Sequence, residues 1–389
     1  MDQSKVTIMK QGLKILHLRW SGSIGGAENF SFLLAKAQNE QHNVTLGYLA
    51  QGSTFGAEAR KCGINVVEFG MKSEIDIIRA KKVIDYIRNN SFDIIHDHNY
   101  PSFSPFVPLF LAKPVYVGHV HGTGRTITRL KRLVFLIYSR LVAGRVDHYF
   151  VNSSFTKREL EKKWKLNLRK TATVYNGIDP VSFRPVVDPG EIKREFGING
   201  SSPVVGVVAR LTREKGIDHF LEIARVVVEK EAAVRFVIVG DGKMRRQLEE
   251  KSDILGLGDR VRFTGARRDV ANMISIFDIF CLTSNWESFG ITLIEAMSVG
   301  IPIVAFRVGG VPEVVSEKCG VLVEPKNYGE MAGVIIRLIQ DKKRRTRMGR
   351  EGIKRVQRMF DIRKIAKQID GIYYDLVRRK QSWDVSPSR

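Results

Sequence analysis

Short runs of apolar, often β-branched residues alternate along the chain with longer amphipathic segments. Runs such as VVGVVA and RFVIVG are almost continuously apolar, which indicates strands buried on both faces of parallel sheets. The predicted strands before residue 176 are Lys14–Leu18, Val44–Leu49, Ile64–Phe69, Ile94–His96, Val115–His119, His148–Asn152 and Lys170–Tyr175. Those after it are Val204–Ala209, Val234–Val239, Val261–Gly265, Ile279–Leu282 and Ile303–Phe306.

The segments between these strands have helical periodicity. The predicted helices are Glu28–Gln41, Lys81–Asn89, Asp218–Lys230, Met244–Leu255 and Ile291–Ser298, with a further helix over Asp361–Arg379. Alternation of strand and helix over the whole chain is typical of an α/β fold with doubly wound parallel sheets. A chain of 389 residues is long enough for two such domains.

The predicted domain boundary is a change of composition. Residues 176–203 hold four of the twelve prolines together with four glycines, which is typical of a hinge or linker. We therefore expect one domain at about residues 1–180 and a second at about 200–360.

Composition excludes several classes of protein. The chain is 43% hydrophobic and 27% charged, which favours a folded core over wholesale disorder. No apolar run reaches the length of a membrane span, and the N-terminus lacks the apolar core of a secretory signal. Cys62, Cys281 and Cys319 lie far apart in the sequence, so we expect reduced thiols and a cytoplasmic location.

The formal net charge of +22 predicts an attraction to polyanions: nucleic acid, anionic lipid or phosphorylated small molecules. Segment 125–145 has leucines at helical spacing among arginines and lysines. This pattern predicts either a helix that lies on the surface of an anionic membrane or an ordinary helix whose apolar stripe packs in the core. The basic stretch 342–358 is more typical of a solvated helix face.

Three loops that follow predicted strands carry candidate chemistry, because ligands of open α/β sheets bind at the carboxyl ends of strands. Gly25 and Gly26 precede a helix and would let the backbone approach an anion, although neither GxGxxG nor GxxxxGK occurs. Arg210 and Lys215 follow a buried strand and could both contact a diphosphate.

The third loop contains two glutamates eight residues apart. Glu287 precedes a predicted helix, and Glu295 lies on it among apolar neighbours, so we expect Glu295 to be partly buried and partnered. Carboxylates suit sugar hydroxyls, which are donors that need acceptors. The backbone N–H groups between the two glutamates form a candidate anion site.

Four histidines follow two strands of the first predicted domain, in the pairs His96/His98 and His119/His121. With Asp97 they could form a metal site, but such residues also serve as ordinary hydrogen-bonding groups. No Asp-x-Asp motif supports a phosphate-directed Mg²⁺ site.

Six motifs occur in order over nearly the entire chain: GGAE, HGT, YNGID, ARLTREKG, VGDG and ESFGITLIEA. Together they resemble the GT-B glycosyltransferases of family 4, retaining enzymes that use nucleotide sugars; the stretch from Glu287 to Glu295 is similar to the E-x7-E motif of that family. The resemblance implies two Rossmann-like domains facing across a cleft, with the acceptor bound by the first and the donor by the second. It also implies that the terminal helix returns to the first domain and that catalysis needs no metal.

The resemblance further implies roles for individual residues. Arg210 and Lys215 would hold the donor diphosphate, Glu287 would lie near the donor sugar, and Glu295 would accept hydrogen bonds from the ribose. The other residues implied to lie at the donor or the reacting sugar are Gly25, Gly26, His121, Phe289, Gly290 and Ile291. A UDP-sugar is a weakly favoured donor over a GDP-sugar, and a glycan or lipid-linked acceptor at the inner face of the plasma membrane is expected.

Other functions remain open at this level. The net charge is also typical of a nucleic-acid-binding protein, although no RNP, KH or zinc-finger pattern is present. The histidine group leaves a metal-dependent hydrolase as a further alternative. Carboxylate nucleophiles are known in retaining glycosidases, and Asp97 is the nearest candidate in the first domain.

Overall fold

A computed structural model describes residues 12–20, 25–53, 55–73, 76–99, 111, 113–122, 145–164 and 170–384. The chain forms two compact units, residues 1–176 with 362–389 and residues 177–361. Each unit is an α/β domain with a parallel sheet. The basic segment 125–145 lies, apart from Arg145, outside the described residues. Among the helices that are described, none has both the length and the apolarity needed to cross a membrane.

The sheet of the first unit has seven parallel strands in the order β3-β2-β1-β4-β5-β6-β7. They are β1 (Lys14–Arg19), β2 (Asn43–Tyr48), β3 (Asn65–Glu68), β4 (Ile94–Asp97), β5 (Val115–Val120), β6 (His148–Val151) and β7 (Thr171–Thr173). The helices within the described residues of this unit are α1 (Gly26–Gln38), α2 (Gly56–Lys61), α3 (Ile77–Asn90), α4 (Ser154–Trp164) and, after the second unit, α13 (Ile362–Asp384).

Helix α13 belongs to the first unit although it is the last element of the chain. It packs on α1 and β5. Ile369 and Tyr373 of α13 are fully buried, so this terminal helix completes the core. On the other side of the first sheet, Val83 and Ile87 of α3 join a core cluster with strand residues such as Leu16.

The sheet of the second unit has six parallel strands in the order β10-β9-β8-β11-β12-β13. They are β8 (Val204–Val208), β9 (Arg235–Val239), β10 (Val261–Gly265), β11 (Ile279–Leu282), β12 (Ile303–Phe306) and β13 (Gly320–Val323). The helices are α5 (Pro189–Glu195), α6 (Ile217–Val228), α7 (Arg245–Ile254), α8 (Val270–Ser275), α9 (Ile291–Ser298), α10 (Val311–Val314), α11 (Tyr328–Gln340) and α12 (Lys342–Met359), with 3₁₀ turns at Arg213–Lys215 and Gly258–Arg260.

The core of the second unit follows the predicted burial of its strands. Phe220 and Ile223 of α6 and Ile335 of α11 pack with the central strands. Helix α12 turns Met348 and Val356 inward, whereas most of its lysines and arginines are exposed. The solvated helix face predicted for 342–358 is therefore confirmed.

The predicted linker differs from the observed structure. From residue 177 onwards it belongs to the second unit, and it contains α5, whose first turn is capped by the Asp188 side chain on the N–H of Gly190. Proline at the start of α5 supports the helix because the first helical position needs no N–H donor. Turns and a helix start thus account for much of the proline and glycine in this segment.

Candidate functional site

Both sheets have a point at which the strand order reverses. In the second unit this point lies between β8 and β11. The loop after β8 carries Arg210 and Lys215, and the loop after β11 carries Glu287. Because a crevice forms outside the carboxyl ends of strands at such a reversal, this is the expected ligand position in an open parallel sheet.

Lys215 and Glu287 form an ion pair at this edge of the sheet. The Lys215 Nζ atom lies 2.6 Å from Glu287 Oε2, and the two side chains are only 21% and 10% exposed. The Ser284 hydroxyl lies 3.5 Å from the same carboxylate oxygen. Low exposure strengthens the attraction between the two charges. It also makes it unfavourable in free energy to bury either charge without its partner.

A set of hydrogen bonds joins the two loops. The Thr283 hydroxyl donates to the carbonyl of Gly216 at 2.8 Å, and the Asn285 amide donates to the carbonyl of Arg213 at 2.9 Å. The His219 ring connects Asn285 with the Tyr328 hydroxyl, at 3.0 and 2.7 Å. The Lys215 backbone is therefore held on several sides, which preorganises the position of its charge.

Arg210 provides a second cation at this edge. Its side chain is exposed and makes no hydrogen bond or ion pair with the parts of the chain that the structure describes. Its backbone is fixed because the neighbouring Leu211 N–H donates to the carbonyl of Asp241 at 2.9 Å. Gly240 allows this approach, since a Cβ there would lie 1.9 Å from the carbonyl oxygen of Ala209. Arg210 is thus a guanidinium on a fixed backbone with its donors available.

Helix α9 begins at the same edge. Gly290 precedes it with φ of 90°, a left-handed conformation that glycine adopts without strain. The first backbone N–H groups of a helix lack acceptors within it, so the residues from Phe289 to Ile291 form a region of positive potential. The loop before them is held by a 2.9 Å hydrogen bond from the N–H of Gly310 to the carbonyl of Glu287.

Glu295 lies on α9 and is 9% exposed. Burial raises the pKa of its carboxyl from the ordinary value of 4.5 to about 7. The expected burial is confirmed, and the carboxylate has no hydrogen-bond or ion-pair partner among the described residues. Its apolar neighbours Leu293 and Met297 face the core and offer no donors. The carboxylate is an acceptor that a ligand could satisfy.

The first unit has its own reversal, between β1 and β4. Gly25 and Gly26 stand at the start of α1, in the loop after β1. A Cβ on Gly25 would lie 2.3 Å from Glu28 Oε2, so a larger residue there would require the Glu28 carboxylate to move. Glu28 in turn pairs with the buried Arg19 guanidinium at 2.5 Å, and Arg19 donates to the carbonyl of His98 at 2.9 Å.

Five histidines lie together on one face of the first sheet: His17, His96, His98, His119 and His121. The pairs His96/His98 and His119/His121, at the ends of β4 and β5, share this face because residues two apart along an extended strand point the same way. His17 joins them because β1 pairs with β4 in a register that places it opposite His96. Burial lowers the pKa of all five imidazoles, to about 4 for His17 and about 3 for His119, which keeps the rings neutral.

Asp97 lies on the opposite face of β4 from these histidines. It is 1% exposed. The Tyr116 hydroxyl donates to one oxygen at 2.7 Å, and the backbone and side-chain N–H groups of Asn99 donate to the other. This carboxylate is engaged in holding β4 to β5 and to the following turn.

Comparison with known proteins decides the family. The profile of "Glycosyl transferases group 1" matches residues 188–355, and that of "Glycosyltransferase Family 4" matches residues 24–181. An N-acetyl-α-D-glucosaminyl L-malate synthase from Bacillus anthracis is 31% identical over 78% of this chain and 80% of its own length. The chain belongs to the group 1 glycosyltransferases of family 4. It is therefore an enzyme of the glycosyltransferase class.

Other relatives of this glycosyltransferase agree. An Escherichia coli UDP-Gal:α-D-GlcNAc-diphosphoundecaprenol α-1,3-galactosyltransferase is 26% identical over 80% of the chain and 81% of its own length. HepE from Anabaena in complex with UDP-glucose superposes with a TM-score of 0.80 at 24% identity, covering 93% of this chain and all of HepE. The lipopolysaccharide glycosyltransferase WaaG superposes with a TM-score of 0.71 at 15% identity, covering 92% of this chain and 99% of WaaG. These structures confirm the GT-B fold.

The residues that sequence analysis selected in this glycosyltransferase fall at two places. Arg210, Lys215, Glu287 and the start of α9 gather at the β8/β11 reversal, whereas Gly25, Gly26 and His121 lie in the first unit. His17, which is also a buried ring of this group, was not among the residues predicted from the sequence. Its signal would have been its position in β1, but that signal needs the β1–β4 register.

Proposed function

We propose that this chain is a retaining transferase that moves a sugar from a nucleotide-sugar donor, with a UDP-sugar favoured, to a glycan or lipid-linked acceptor in envelope polysaccharide or lipopolysaccharide synthesis. The second unit binds the donor and the first unit binds the acceptor. The observation that carries the proposal is the Lys215–Glu287 pair at the β8/β11 reversal, with Arg210 in the same loop as Lys215 and Glu295 buried on α9.

The charges at this edge suit a nucleoside diphosphate sugar. Breaking the bond between the anomeric carbon and the diphosphate develops negative charge on the leaving phosphate. Arg210, Lys215 and the first N–H groups of α9 supply fixed positive charge and dipoles for it. Glu295 supplies an acceptor for the ribose hydroxyls.

Retention of configuration follows from attack on the same face as the leaving group. In this hypothesis the acceptor hydroxyl forms the new bond to the anomeric carbon as the bond to the phosphate breaks, and its proton passes to the departing phosphate oxygen. The hydrogen bonds that occupy both oxygens of Asp97 support this route over a carboxylate nucleophile in the first unit. His121 would lie beside the reacting sugar.

The acceptor assignment rests on similarity and charge. The diphosphoundecaprenol named for the E. coli relative supports a lipid-linked acceptor, and HepE in complex with UDP-glucose supports a UDP-sugar donor. A net charge of +22 favours contact with an anionic membrane surface, at the inner face of the plasma membrane. No metal ion is assigned a role in this scheme.

A thermal-shift series with UDP, GDP and ADP tests the donor assignment. A ligand that binds only the native state raises the melting temperature, and we expect UDP to raise it most. Arg210→Ala should reduce the UDP shift because one of the two diphosphate cations is lost. Arg246→Ala is the matched control, since Arg246 is also an exposed arginine of the second unit and pairs only with Glu250 on α7 among the described residues. Two results would contradict the assignment. One is an equal UDP shift of the melting temperature in the wild type, Arg210→Ala and Arg246→Ala; the other is no shift with any of the three nucleotides.

A further inference from the structure

Helix α12 holds the excess positive charge of the second unit. Its 18 residues include nine lysines and arginines and a single acidic residue, Glu351. In the rest of residues 177–361, aspartates and glutamates slightly outnumber lysines and arginines. The positive charge of this unit is therefore concentrated on one helix instead of being spread over its surface.

The exposed cations of α12 form a row along one side of the helix. They follow one another at intervals of three or four residues, which places them on a single face, while the opposite face is buried. At about 1.5 Å per residue the row is about 22 Å long. We refer to it as the cationic stripe, and its members are Lys343, Arg347, Arg350, Lys354 and Arg358.

The stripe is electrostatically unfavourable for the helix that carries it. Successive members are neighbours on the helix surface, and like charges at this spacing destabilise a helix. The first turn adds Lys342 and Arg344 and contains no acidic residue, although cations at a helix N-terminus oppose the helix dipole. Asp341 offsets only part of this effect, by accepting a 2.8 Å hydrogen bond from the backbone N–H of Arg344.

Ion pairs within the second unit do not compensate for the stripe. Lys354 pairs with Glu351 at 2.8 Å, but Lys343, Arg347 and Arg350 form no ion pair with any described residue. The arginines of α7 in the same unit, by contrast, each pair with a glutamate one turn later. A row of cations that breaks a local rule without a compensating contact inside the fold points to a partner outside it.

We propose that the cationic stripe of α12 binds the surface of an anionic lipid bilayer. A bilayer surface is flat on this scale, so the whole row meets lipid headgroups at once, and their negative charge relieves the repulsion between the cations. The exposed face of α12 is polar and the helix contains no aromatic residue, so the contact is electrostatic and the helix does not insert.

The choice of lipid over other polyanions rests on the proposed function, in which a lipid-linked acceptor would lie in such a surface. The composition of α12 also favours lipid over single-stranded nucleic acid, because proteins bind single strands by stacking bases on aromatic side chains.

Sedimentation of the full chain with vesicles tests the proposal. The vesicles contain phosphatidylcholine alone or with about 30% phosphatidylglycerol. We expect the protein to sediment with the anionic vesicles at about 0.1 M salt. It should be released at about 1 M salt, because the Debye length falls from about 10 Å to about 3 Å. Equal sedimentation with both kinds of vesicle, or none with the anionic ones, would overturn the proposal.

The triple variant Lys343→Gln, Arg347→Gln, Arg350→Gln removes the unpaired members of the stripe. Each lysine or arginine near an anionic surface strengthens binding about fivefold, so the partition constant should fall about 100-fold. Without vesicles the melting temperature should stay the same or rise, because repulsive pairs are lost. A lower melting temperature would show that the stripe stabilises the fold, and would overturn the argument that it serves a partner.

The matched control is the triple variant Arg225→Gln, Lys230→Gln, Arg246→Gln, which removes the same charge from exposed positions on or just after α6 and on α7. It should sediment like the wild type. An equal loss in this control would show that only net charge matters. Full binding by the stripe variant would show that another part of the chain, such as segment 125–145, contacts the bilayer. Either result would overturn the proposal.

Two further measurements separate this inference from its alternatives. Tighter binding of a short DNA duplex than of anionic vesicles, with the same loss in the stripe variant, would assign the stripe to nucleic acid and overturn the lipid assignment. The UDP shift of the melting temperature should be the same in the stripe variant and the wild type. Absence of any UDP shift in the wild type would overturn the proposed function, whereas the vesicle results would still decide what α12 binds.

Discussion

Replacing Lys215 by glutamine lowers glycosyl transfer by about 100-fold or more, and Glu287→Gln does the same. In the proposed function Lys215 supplies a charge for the leaving diphosphate, and its ion pair with Glu287, at 2.6 Å, would hold that charge in place. Because both side chains are largely buried, each single change also leaves its partner with an uncompensated charge. The measurement is the rate of nucleotide release from the nucleotide sugar that the wild type turns over fastest in a panel, with the melting temperature recorded for each variant.

The double variant Lys215→Gln, Glu287→Gln separates catalysis from stability. Its melting temperature should recover toward that of the wild type because neither charge remains unpaired, whereas its activity should stay low. Lys251→Gln is a matched control: Lys251 forms a 2.8 Å pair with Glu222 in the same unit, away from the β8/β11 reversal. Wild-type rates in both single variants, or an equal loss in Lys251→Gln, would contradict the roles assigned to the pair.

Glu295→Gln raises the free energy of unfolding of the second unit at pH 8 and weakens nucleotide binding. Burial raises the pKa of Glu295 to about 7 in the folded protein, above its ordinary value of 4.5. The folded state therefore binds the proton more tightly than the unfolded state. The stability that comes from this proton is complete below about pH 4.5 and is lost as pH rises through about 7.

Glutamine removes the cost of burying an ionised carboxylate. We therefore expect the free energy of unfolding to rise by about 2 to 3 kcal/mol at pH 8 and to change little near pH 4.5. Denaturant unfolding at the two pH values measures the gain. Affinity for UDP at pH 8 should fall roughly 10-fold, because the amide offers the ribose a weaker acceptor than the carboxylate.

The pH dependence of binding gives an internal check on this residue. Between pH 6 and 8 the affinity of the wild type for UDP should rise relative to that of Glu295→Gln, as the Glu295 carboxyl loses its proton. Glu351→Gln is a control: the carboxyl of Glu351 is exposed and Lys354 lowers its pKa, so this change should bring no gain at pH 8. If Glu295→Gln destabilises the protein at pH 8, the conclusion that the buried Glu295 carboxylate has no partner is wrong.

Much of the fold could be predicted because burial leaves a direct trace in the sequence. Central strands such as Ile279–Leu282 and Ile303–Phe306 were predicted at their observed bounds, and α9 at Ile291–Ser298. The strands at the edges of the sheets were harder to predict. Strand β13, Gly320–Val323, was not predicted, because a short run with two half-buried residues resembles a loop. Strand β7 is shorter than the predicted Lys170–Tyr175, and all three of its residues are only half-buried.

The candidate donor residues could be predicted because each follows a strand at the edge where ligands bind. The ion pair between Lys215 and Glu287 could not, since it depends on the contact between two loops 72 residues apart. The hydrogen bonds that join His17, Gln38 and Asp370 were also hidden. These residues lie on β1, α1 and α13, and only the packing of α1 on β1 and of α13 on α1 brings them together.

A crystal structure of the protein with UDP would show whether Arg210, Lys215 and Glu295 form the donor site. We expect the diphosphate oxygens to lie within hydrogen-bonding distance of the Arg210 guanidinium and the Lys215 ammonium, and the ribose hydroxyls to contact Glu295. A nucleotide bound anywhere else, or a diphosphate that contacts neither cation, would contradict it.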